Sequence, residues 1–219
     1  MQGSPAAVGP VRRKDRGHGM TPSIKLSAAI ARLLAPALLI ALASAAHARG
    51  PAPSVPDLPA THESVEVAFS PDGGAEGLVI QVIGSANSSI RLAAYSFTSP
   101  SVVRALLDAK RRGVDVAVVV DHKNNLTESR THASREALNL LINAGIPTRT
   151  VSVYAIHHDK YIVVDGRHVE TGSFNFTAAA AKRNSENVLV VRNDPALAAQ
   201  YIAHWQSRWA QGQPYRSTY

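Results

Sequence analysis

The chain has 219 residues, with 23 Lys or Arg against 16 Asp or Glu, a formal net charge of +7 and no cysteine. The lack of cysteine excludes disulfides, thiolate nucleophiles and cysteine-ligated zinc. Six of the basic residues and one acidic residue lie in the first 48 positions, which leaves 17 basic against 15 acidic residues in the remainder. This near balance excludes a broadly basic surface, so any anionic substrate must be held by a local cluster of cations.

The first 48 residues predict an export signal. A basic start precedes an apolar stretch, Leu33–Ala43, and the small residues Ala46 and Ala48 fit the pattern that signal peptidases cut. The apolar stretch has roughly a dozen residues, fewer than the ~20 of a membrane-spanning helix. We therefore expect a cut after Ala48 and a periplasmic or secreted product. An uncleaved anchor is the alternative, and Met20 is an alternative start.

The rest of the chain alternates between strand-like and helical segments. Residues 49–62 predict a proline-rich linker, 63–212 one folded domain and 213–219 a C-terminal tail. In chain order, the predicted elements are strand 65–69, helix 75–86, strand 90–97, helix 99–112, strand 115–121, helix 133–144, strand 147–153, hairpin 158–174, strand 187–191 and helix 195–210. This alternation predicts an α/β fold in which a mixed β-sheet is flanked by helices on both faces.

The predicted hairpin carries the candidate chemistry. His158 and Lys160 are two residues apart on one strand, so both side chains leave the same face. A loop at 166–167 pairs Lys160 with Ser173 and His158 with Asn175, whereas a loop at 165–166 places His158 opposite Ser173. Either register gathers an imidazole, an ammonium, a hydroxyl and a carboxamide. Asp165 has the opposite parity to His158, so we expect it to shape the turn or to pair with a nearby cation.

Such a set suits a phosphate group. Lysine neutralises the non-bridging oxygens, and Ser173 and Asn175 can donate hydrogen bonds that tighten as negative charge develops. His158 can attack phosphorus or move a proton near neutral pH. The neighbouring His157 and Asp159 make poor metal ligands together with His158, because adjacent residues on a strand point to opposite faces.

The spacing of these residues resembles the H-x-K-x4-D-x6-G-S-x-N signature of the phospholipase D superfamily. The matching positions are His158, Lys160, Asp165, Gly172, Ser173 and Asn175. The segments 69–71, 94–99, 112–116 and 184–187 further resemble its small single-motif branch of Nuc-like bacterial endonucleases. The resemblance covers nearly all of residues 64–210 and implies a metal-independent phosphodiesterase that uses no cofactor.

The resemblance also implies a mechanism. His158 would form a phosphohistidine, a second histidine would protonate the leaving oxygen, and a glutamate at the position of Glu186 would orient the nucleophile. This chain has no second H-x-K motif. The resemblance therefore implies a homodimer in which both His158 side chains meet at a two-fold axis.

Three functions can be compared with this sequence pattern. An endonuclease acting on DNA or RNA is the first, and the exposed pair Lys182 and Arg183 is a candidate track for its phosphodiester backbone. A phospholipase D acting on phospholipid headgroups is the alternative. It should carry an exposed apolar segment near the site, and the sequence pattern after Ala48 reveals none. A non-catalytic nucleic-acid-binding module predicts a degraded motif and a stronger basic excess, and the sequence has neither.

Overall fold

The computed structural model describes residues 64–129 and 131–217. The predicted export signal and the predicted linker up to residue 62 lie outside these ranges. In the described part, the strands are β1 Ser64–Ser70, β2 Ser89–Ala94, β3 Asp115–Asp121, β4 Thr148–Val151, β5 Lys160–Val164, β6 His168–Gly172, β7 Glu186–Arg192 and β8 Gln213–Pro214. The helices are α1 Ala75–Gly84, α2 Pro100–Arg111, α3 Ala133–Asn143, α4 Ala178–Lys182 and α5 Pro195–Gln211, with a π-helical turn at Lys123–Thr127.

The strands form one mixed sheet in the order β1-β7-β6-β5-β2-β3-β4-β8. Strands β2, β3 and β4 are parallel, and α2 and α3 connect them. The other pairings are antiparallel. Strand β3 is buried from Val116 to Asp121, as expected for a central parallel strand that is covered on both faces.

Helices cover both faces of the sheet, which confirms the predicted fold class. One face packs against α1, α2, α3 and α4 in the larger apolar cluster. The opposite face packs against α5 through Trp205 and Ala198, and the strand residues of this smaller cluster come from β2 to β6. The same face of β1 and β7 therefore lies beyond the cover of α5. None of the described helices is long and apolar enough to cross a membrane.

Local chemistry fixes the helix ends. Ser99 accepts a hydrogen bond from the Val102 backbone amide, and Pro100 opens α2 with its φ already suited to a helix. Gly113 follows the helix with φ of 90°, in the left-handed region. At α5, the Asp194 side chain caps the Leu197 amide. Beyond α5, β8 joins the edge of the sheet against β4, although the sequence pattern assigned residues 213–219 to a tail.

The register of the β5–β6 hairpin differs from both predicted registers. Val164 pairs with His168, which leaves a three-residue loop and places Lys160 opposite Gly172. Both predictions assumed a two-residue loop. Asp165 and Gly166 both have positive φ, 53° and 63°, and the Arg167 amide closes this turn onto the Val164 carbonyl. Arg167 is the extra loop residue, and its carbonyl accepts a hydrogen bond from the Asp194 amide at 2.9 Å.

The Asp165 carboxylate ties this turn to the start of β2. Its oxygens accept hydrogen bonds from the backbone amides of Asn87, Ser88 and Ser89, at 3.0, 2.8 and 2.9 Å. Partial burial alone would raise the pKa of Asp165, but these hydrogen bonds outweigh it and lower the pKa to about 2. The carboxylate therefore joins the hairpin turn to the start of β2, and its partners are mainly backbone amides rather than a cation.

We expect Asp165→Asn to lower the free energy of unfolding at pH 7 by about 1 kcal/mol, after discounting for solvent screening at this partly exposed carboxylate. Because the folded-state pKa of about 2 lies below the ordinary 3.8, the stabilisation is fully present above about pH 4. It is lost as the pH falls through 2. Urea unfolding of both proteins between pH 7 and pH 2 measures this difference. A difference that did not shrink at low pH would contradict it.

Candidate phosphoryl-transfer site

The candidate site lies at one end of the sheet. It is bounded by the carboxyl ends of the parallel strands β2 and β3, the amino ends of β5 and β7, and the carboxyl end of β6. Crevices outside the carboxyl ends of parallel strands are common ligand sites in α/β sheets. The neighbouring strands β2 and β5 run in opposite directions, so side chains that follow β2 lie beside those that open β5.

One cavity of about 430 Å³ brings together the residues predicted to contact phosphate. It is lined by His158, Lys160, Gly172, Ser173, Asn175 and Glu186. Asp165 belongs to the same sequence motif but lies at the far end of the hairpin. A second cavity of about 450 Å³ opens toward α5 and shares His158, Lys160 and Gly172 with the first. A phosphate at His158 and Lys160 would thus have space on two sides for the two arms of a diester.

Lys160 is largely buried, with 8% of the residue exposed, and it lines both cavities. Its Nζ donates to the His158 carbonyl oxygen at 2.9 Å, which links the cation to the backbone of the candidate nucleophile. Burial lowers the pKa of Lys160, and the carboxylates of Glu186 and Asp159 partly oppose this effect. A desolvated cation attracts phosphate more strongly than one in bulk water does.

Sequence reasoning missed Tyr95 as a site residue. Its ring lies 4.7 Å from the His158 ring, between centroids, and 5.2 Å from Lys160 Nζ. The ring therefore contacts the imidazole while its face attracts the ammonium. Tyr95 lies within the segment 94–99 that carried part of the family resemblance, and that was the available signal.

The π-helical turn after β3 holds Tyr95 in place. The buried Asn125 side chain donates to the Tyr95 carbonyl at 2.6 Å and accepts from the Phe97 amide at 3.0 Å. The Asp121 carboxylate accepts from the Asn124 amide at 2.6 Å and from the His157 amide at 2.7 Å. One buried carboxylate thus fixes both the turn and the segment that enters β5. Irregular π-helical turns are frequent at functional sites.

Glu186 contacts Ser173 rather than His158. Ser173 Oγ donates to Glu186 Oε2 at 2.6 Å and accepts from the Asn187 amide at 3.1 Å. Asn184 Nδ2 donates to the other carboxylate oxygen at 2.9 Å. Glu186 therefore orients the Ser173 hydroxyl directly, and no contact among the described residues joins it to the His158 ring.

Gly172 permits a close approach between β6 and β7. A Cβ atom at this position would lie 2.2 Å from the Asn187 carbonyl oxygen, far inside van der Waals contact. Only glycine fits beside that backbone, which explains the glycine of the motif.

His157 and His158 precede β5 and face different surroundings. His157 is buried, and its Nε2 lies 2.9 Å from Asp159 Oδ2 in an ion-pair contact. Partial burial raises the pKa of Asp159, but the hydrogen bond and charge of His157, with His204 and Lys160, outweigh this and lower it. Within residues 64–129 and 131–217, no group of three or more His, Asp or Glu side chains is arranged to hold a metal ion.

Comparison with known proteins matches this site and fold to one family. The family model described as "Cardiolipin synthase, PLD-like domain" matches residues 79–209. The phospholipase D of Rickettsia typhi is 36% identical over 157 residues, 72% of each chain. The chain belongs to the phospholipase D superfamily.

Other relatives in the superfamily agree. The mitochondrial cardiolipin hydrolase of Xenopus laevis is 33% identical over 143 residues, which is 65% of this chain and 64% of that protein. Nuc, a phospholipase D family member from Salmonella typhimurium whose crystal structure is known, is 52% identical in sequence to this chain. The superposition covers 71% of this chain and 99% of the Nuc chain, with a TM-score of 0.68. These relatives and the shared fold make this chain a phosphodiesterase of the phospholipase D superfamily.

For Tyr95→Leu, we expect kcat/KM for bis(p-nitrophenyl) phosphate to fall about tenfold or more, while Tyr95→Phe keeps most of the activity. A partly buried cation–π contact contributes about 1–2 kcal/mol, and only the aromatic replacement preserves it. Steady-state kinetics at a fixed pH measure the effect, with thermal unfolding as the folding control. Equal activity of the leucine and wild-type proteins would contradict a role for the ring.

We expect Glu186→Gln to move the alkaline limb of the pH profile of kcat/KM to lower pH. Lys160 binds phosphate only when it is charged, below its own pKa. The Glu186 carboxylate raises that pKa against the effect of burial, so its removal lowers the pKa further. Rates between pH 6 and 10.5 test this shift, and an alkaline limb that did not move would contradict the coupling.

Proposed function

We propose that this phosphodiesterase is a metal-independent endonuclease that hydrolyses DNA or RNA through a phosphohistidine at His158. The observation that carries the proposal is the cavity in which His158 lies beside the buried Lys160 ammonium, Ser173 and Asn175. In the proposed first step, the imidazole of His158 attacks phosphorus and forms a P–N bond, and the bond to the leaving oxygen breaks. Lys160 and the Asn175 carboxamide stabilise the charge on the non-bridging oxygens, since the Ser173 hydroxyl already donates to Glu186.

The leaving oxygen needs a proton, and we propose that the partner subunit's His158 supplies it. In the second step, the same imidazole accepts a proton from water, the water oxygen attacks phosphorus, and the P–N bond breaks. His158 returns to its starting state, and one phosphodiester bond has been hydrolysed. The single H-x-K motif of the chain supports this proposal, because each half of the machinery requires a histidine.

Nucleic acid is the first substrate class because two exposed cations lie in the chain shortly before Glu186, which lines the cavity. Lys182 ends α4 and Arg183 follows it, directly before Asn184, whose side chain contacts Glu186. Backbone phosphates on either side of the scissile one could lie along these cations. The export signal predicted in the first 48 residues supports a periplasmic or secreted site of action.

The first test is cleavage of plasmid DNA by the purified protein in excess EDTA. We expect cleavage by the wild-type protein, undiminished by EDTA, and a loss of at least about a thousandfold for His158→Ala, since that change removes the nucleophile. Loss of wild-type cleavage in EDTA would overturn the metal-independent mechanism. Survival of the plasmid under all conditions would overturn the nuclease assignment.

An exposed apolar strip supports the proposed homodimer. On edge strand β1, the side chains of Val65, Val67 and Phe69 are 62, 61 and 57% exposed. These side chains lie on the same face of the sheet as α5, but α5 packs only on β2 to β6 and leaves this part of the face open. Leu189 of β7 lies opposite Val67 and widens the strip. Phe69 lies at the end of β1 that adjoins the site, one residue before the Ser70–Glu186 pair. A second copy would cover this strip while bringing a second site close.

We expect Val67→Glu to convert the protein from dimer to monomer and to abolish plasmid cleavage together with the dimer. Burying a carboxylate in an apolar interface costs several kcal/mol. Light scattering after gel filtration measures the mass, and Leu140→Glu on α3, at a similarly exposed apolar residue, serves as the control. An active monomer would overturn the shared-site proposal.

Hydrolysis of phospholipid headgroups is the second candidate. Relatives named phospholipase D and cardiolipin hydrolase favour it, and the same catalytic groups would serve. Release of headgroup from phosphatidylcholine vesicles, assayed beside plasmid cleavage, distinguishes the two substrates. Lipid hydrolysis without plasmid cleavage would replace the nuclease assignment.

A further inference from the structure

The loop between β4 and β5 exposes three large apolar side chains beside the site. Val153, Tyr154 and Ile156 are 61, 40 and 46% exposed, and we refer to these three residues as the loop tip. The sequence pattern did not reveal the loop tip, because residues 147–153 predicted a continuous strand. Strand β4 instead ends at Val151, and the residues from Ser152 to Ile156 are all exposed.

Helix α5 holds the loop tip in a defined position. The Arg208 guanidinium lies 4.6 Å from the centre of the Tyr154 ring, and the Tyr154 hydroxyl donates to Gln211 at 2.9 Å. Arg208 Nη1 donates to the same Gln211 oxygen at 3.0 Å. Tyr154 therefore links the loop tip to a cation on α5, while Val153 and Ile156 present their side chains to solvent.

The loop tip adjoins the catalytic residues. The chain reaches His158 only two residues after Ile156. Tyr154 and Ile156 line a shallow cavity of about 150 Å³ with Asp159, His204 and Arg208. Asp159 and His204 also line the larger cavity that contains His158 and Lys160. A surface that contacted the loop tip would lie against the opening of the site.

We propose that the loop tip docks the active-site end of this protein onto a phospholipid bilayer. In the loop tip, Val153 and Ile156 flank Tyr154, and Arg208 lies beside the tyrosine ring. At a membrane interface, apolar side chains enter the acyl region, and tyrosine and arginine lie among the headgroups. The loop tip therefore matches the chemistry of that interface. A stable protein partner requires about 800 Å² on each side, much more than three side chains supply. An exposed apolar segment near the site is also the feature expected of the phospholipase alternative, so the loop tip counts in favour of that candidate, while docking itself is compatible with either substrate.

Vesicle sedimentation tests the proposal. The parent protein is His158→Ala, which prevents hydrolysis during the measurement, with vesicles of phosphatidylglycerol and phosphatidylcholine in equal amounts. We expect the parent to sediment with the vesicles, and the added pair Val153→Ser and Ile156→Ser to weaken binding about tenfold or more. Adding Leu140→Ser instead, at an exposed leucine of α3, should leave binding unchanged. The charge of Arg208 predicts weaker binding to vesicles of phosphatidylcholine alone.

Three outcomes would overturn the docking proposal. The first is a parent protein that stays in solution with both kinds of vesicle, and the second is a loop-tip double variant that binds as well as its parent. The third is a loop-tip variant, with His158 restored, that binds vesicles normally but loses plasmid cleavage, because the loop tip would then contact nucleic acid. Plasmid cleavage without vesicles judges the nuclease proposal separately, so the two proposals can fail independently.

Discussion

Burial of the Lys160 ammonium at the end of the sheet is the constraint on which the rest of the site depends. A buried cation is costly unless neighbouring groups offset the loss of water. Here the His158 carbonyl accepts one hydrogen bond at 2.9 Å, the Tyr95 ring faces the charge, and the carboxylates of Glu186 and Asp159 lie near enough to raise its pKa. A phosphodiester would complete this arrangement, since it brings a negative charge into contact with the ammonium.

The two carboxylates near Lys160 accept hydrogen bonds from, or pair with, other side chains. In the described part of the chain, neither forms a direct ion pair with the ammonium, which leaves it free to bind a phosphodiester. Glu186 accepts from Ser173 and Asn184, and Asp159 pairs with His157. A third carboxyl group, Glu170, lies on the sheet two residues before Gly172, but burial raises its pKa to about 8. Glu170 is therefore mainly protonated at neutral pH and does not neutralise the cation. The Lys160 ammonium therefore remains available to an anion, although residues 49–219 as a whole are nearly balanced in charge.

The sequence predicts the fold and the phosphate-binding set because their signals are local. Strand β3 occupies the predicted range 115–121, since an apolar run bounded by aspartates is distinctive. His158, Lys160, Ser173 and Asn175 line one cavity because they lie at, or within three residues of, the adjoining ends of the paired strands β5 and β6. The hairpin register was wrong because the Asp165 carboxylate binds amides 76 to 78 residues away, which no turn pattern reveals.

The remaining site residues depend on contacts that are distant in sequence. Asn125 reaches Tyr95 across 30 residues, and its amide satisfies backbone groups that a longer strand β2 would have paired. The π-helical turn that contains Asn125 therefore positions Tyr95 beside His158, and such a turn has no simple sequence signal. The loop tip was hidden for a related reason, because the apolar residues after Val151 look like strand but have no neighbouring strand to bury them.

The proposed mechanism gives His158 the central chemical role, and a covalent intermediate is its most direct signature. Rapid acid-free quenching of the wild-type protein during turnover of a short oligonucleotide, followed by peptide mass spectrometry, would detect it. The proposed mechanism predicts a phosphoryl-linked adduct on the peptide that contains His158, which appears within one turnover and disappears as substrate is consumed. A protein that turns over substrate at full rate with no adduct at His158, or with the adduct on another residue, would contradict the mechanism.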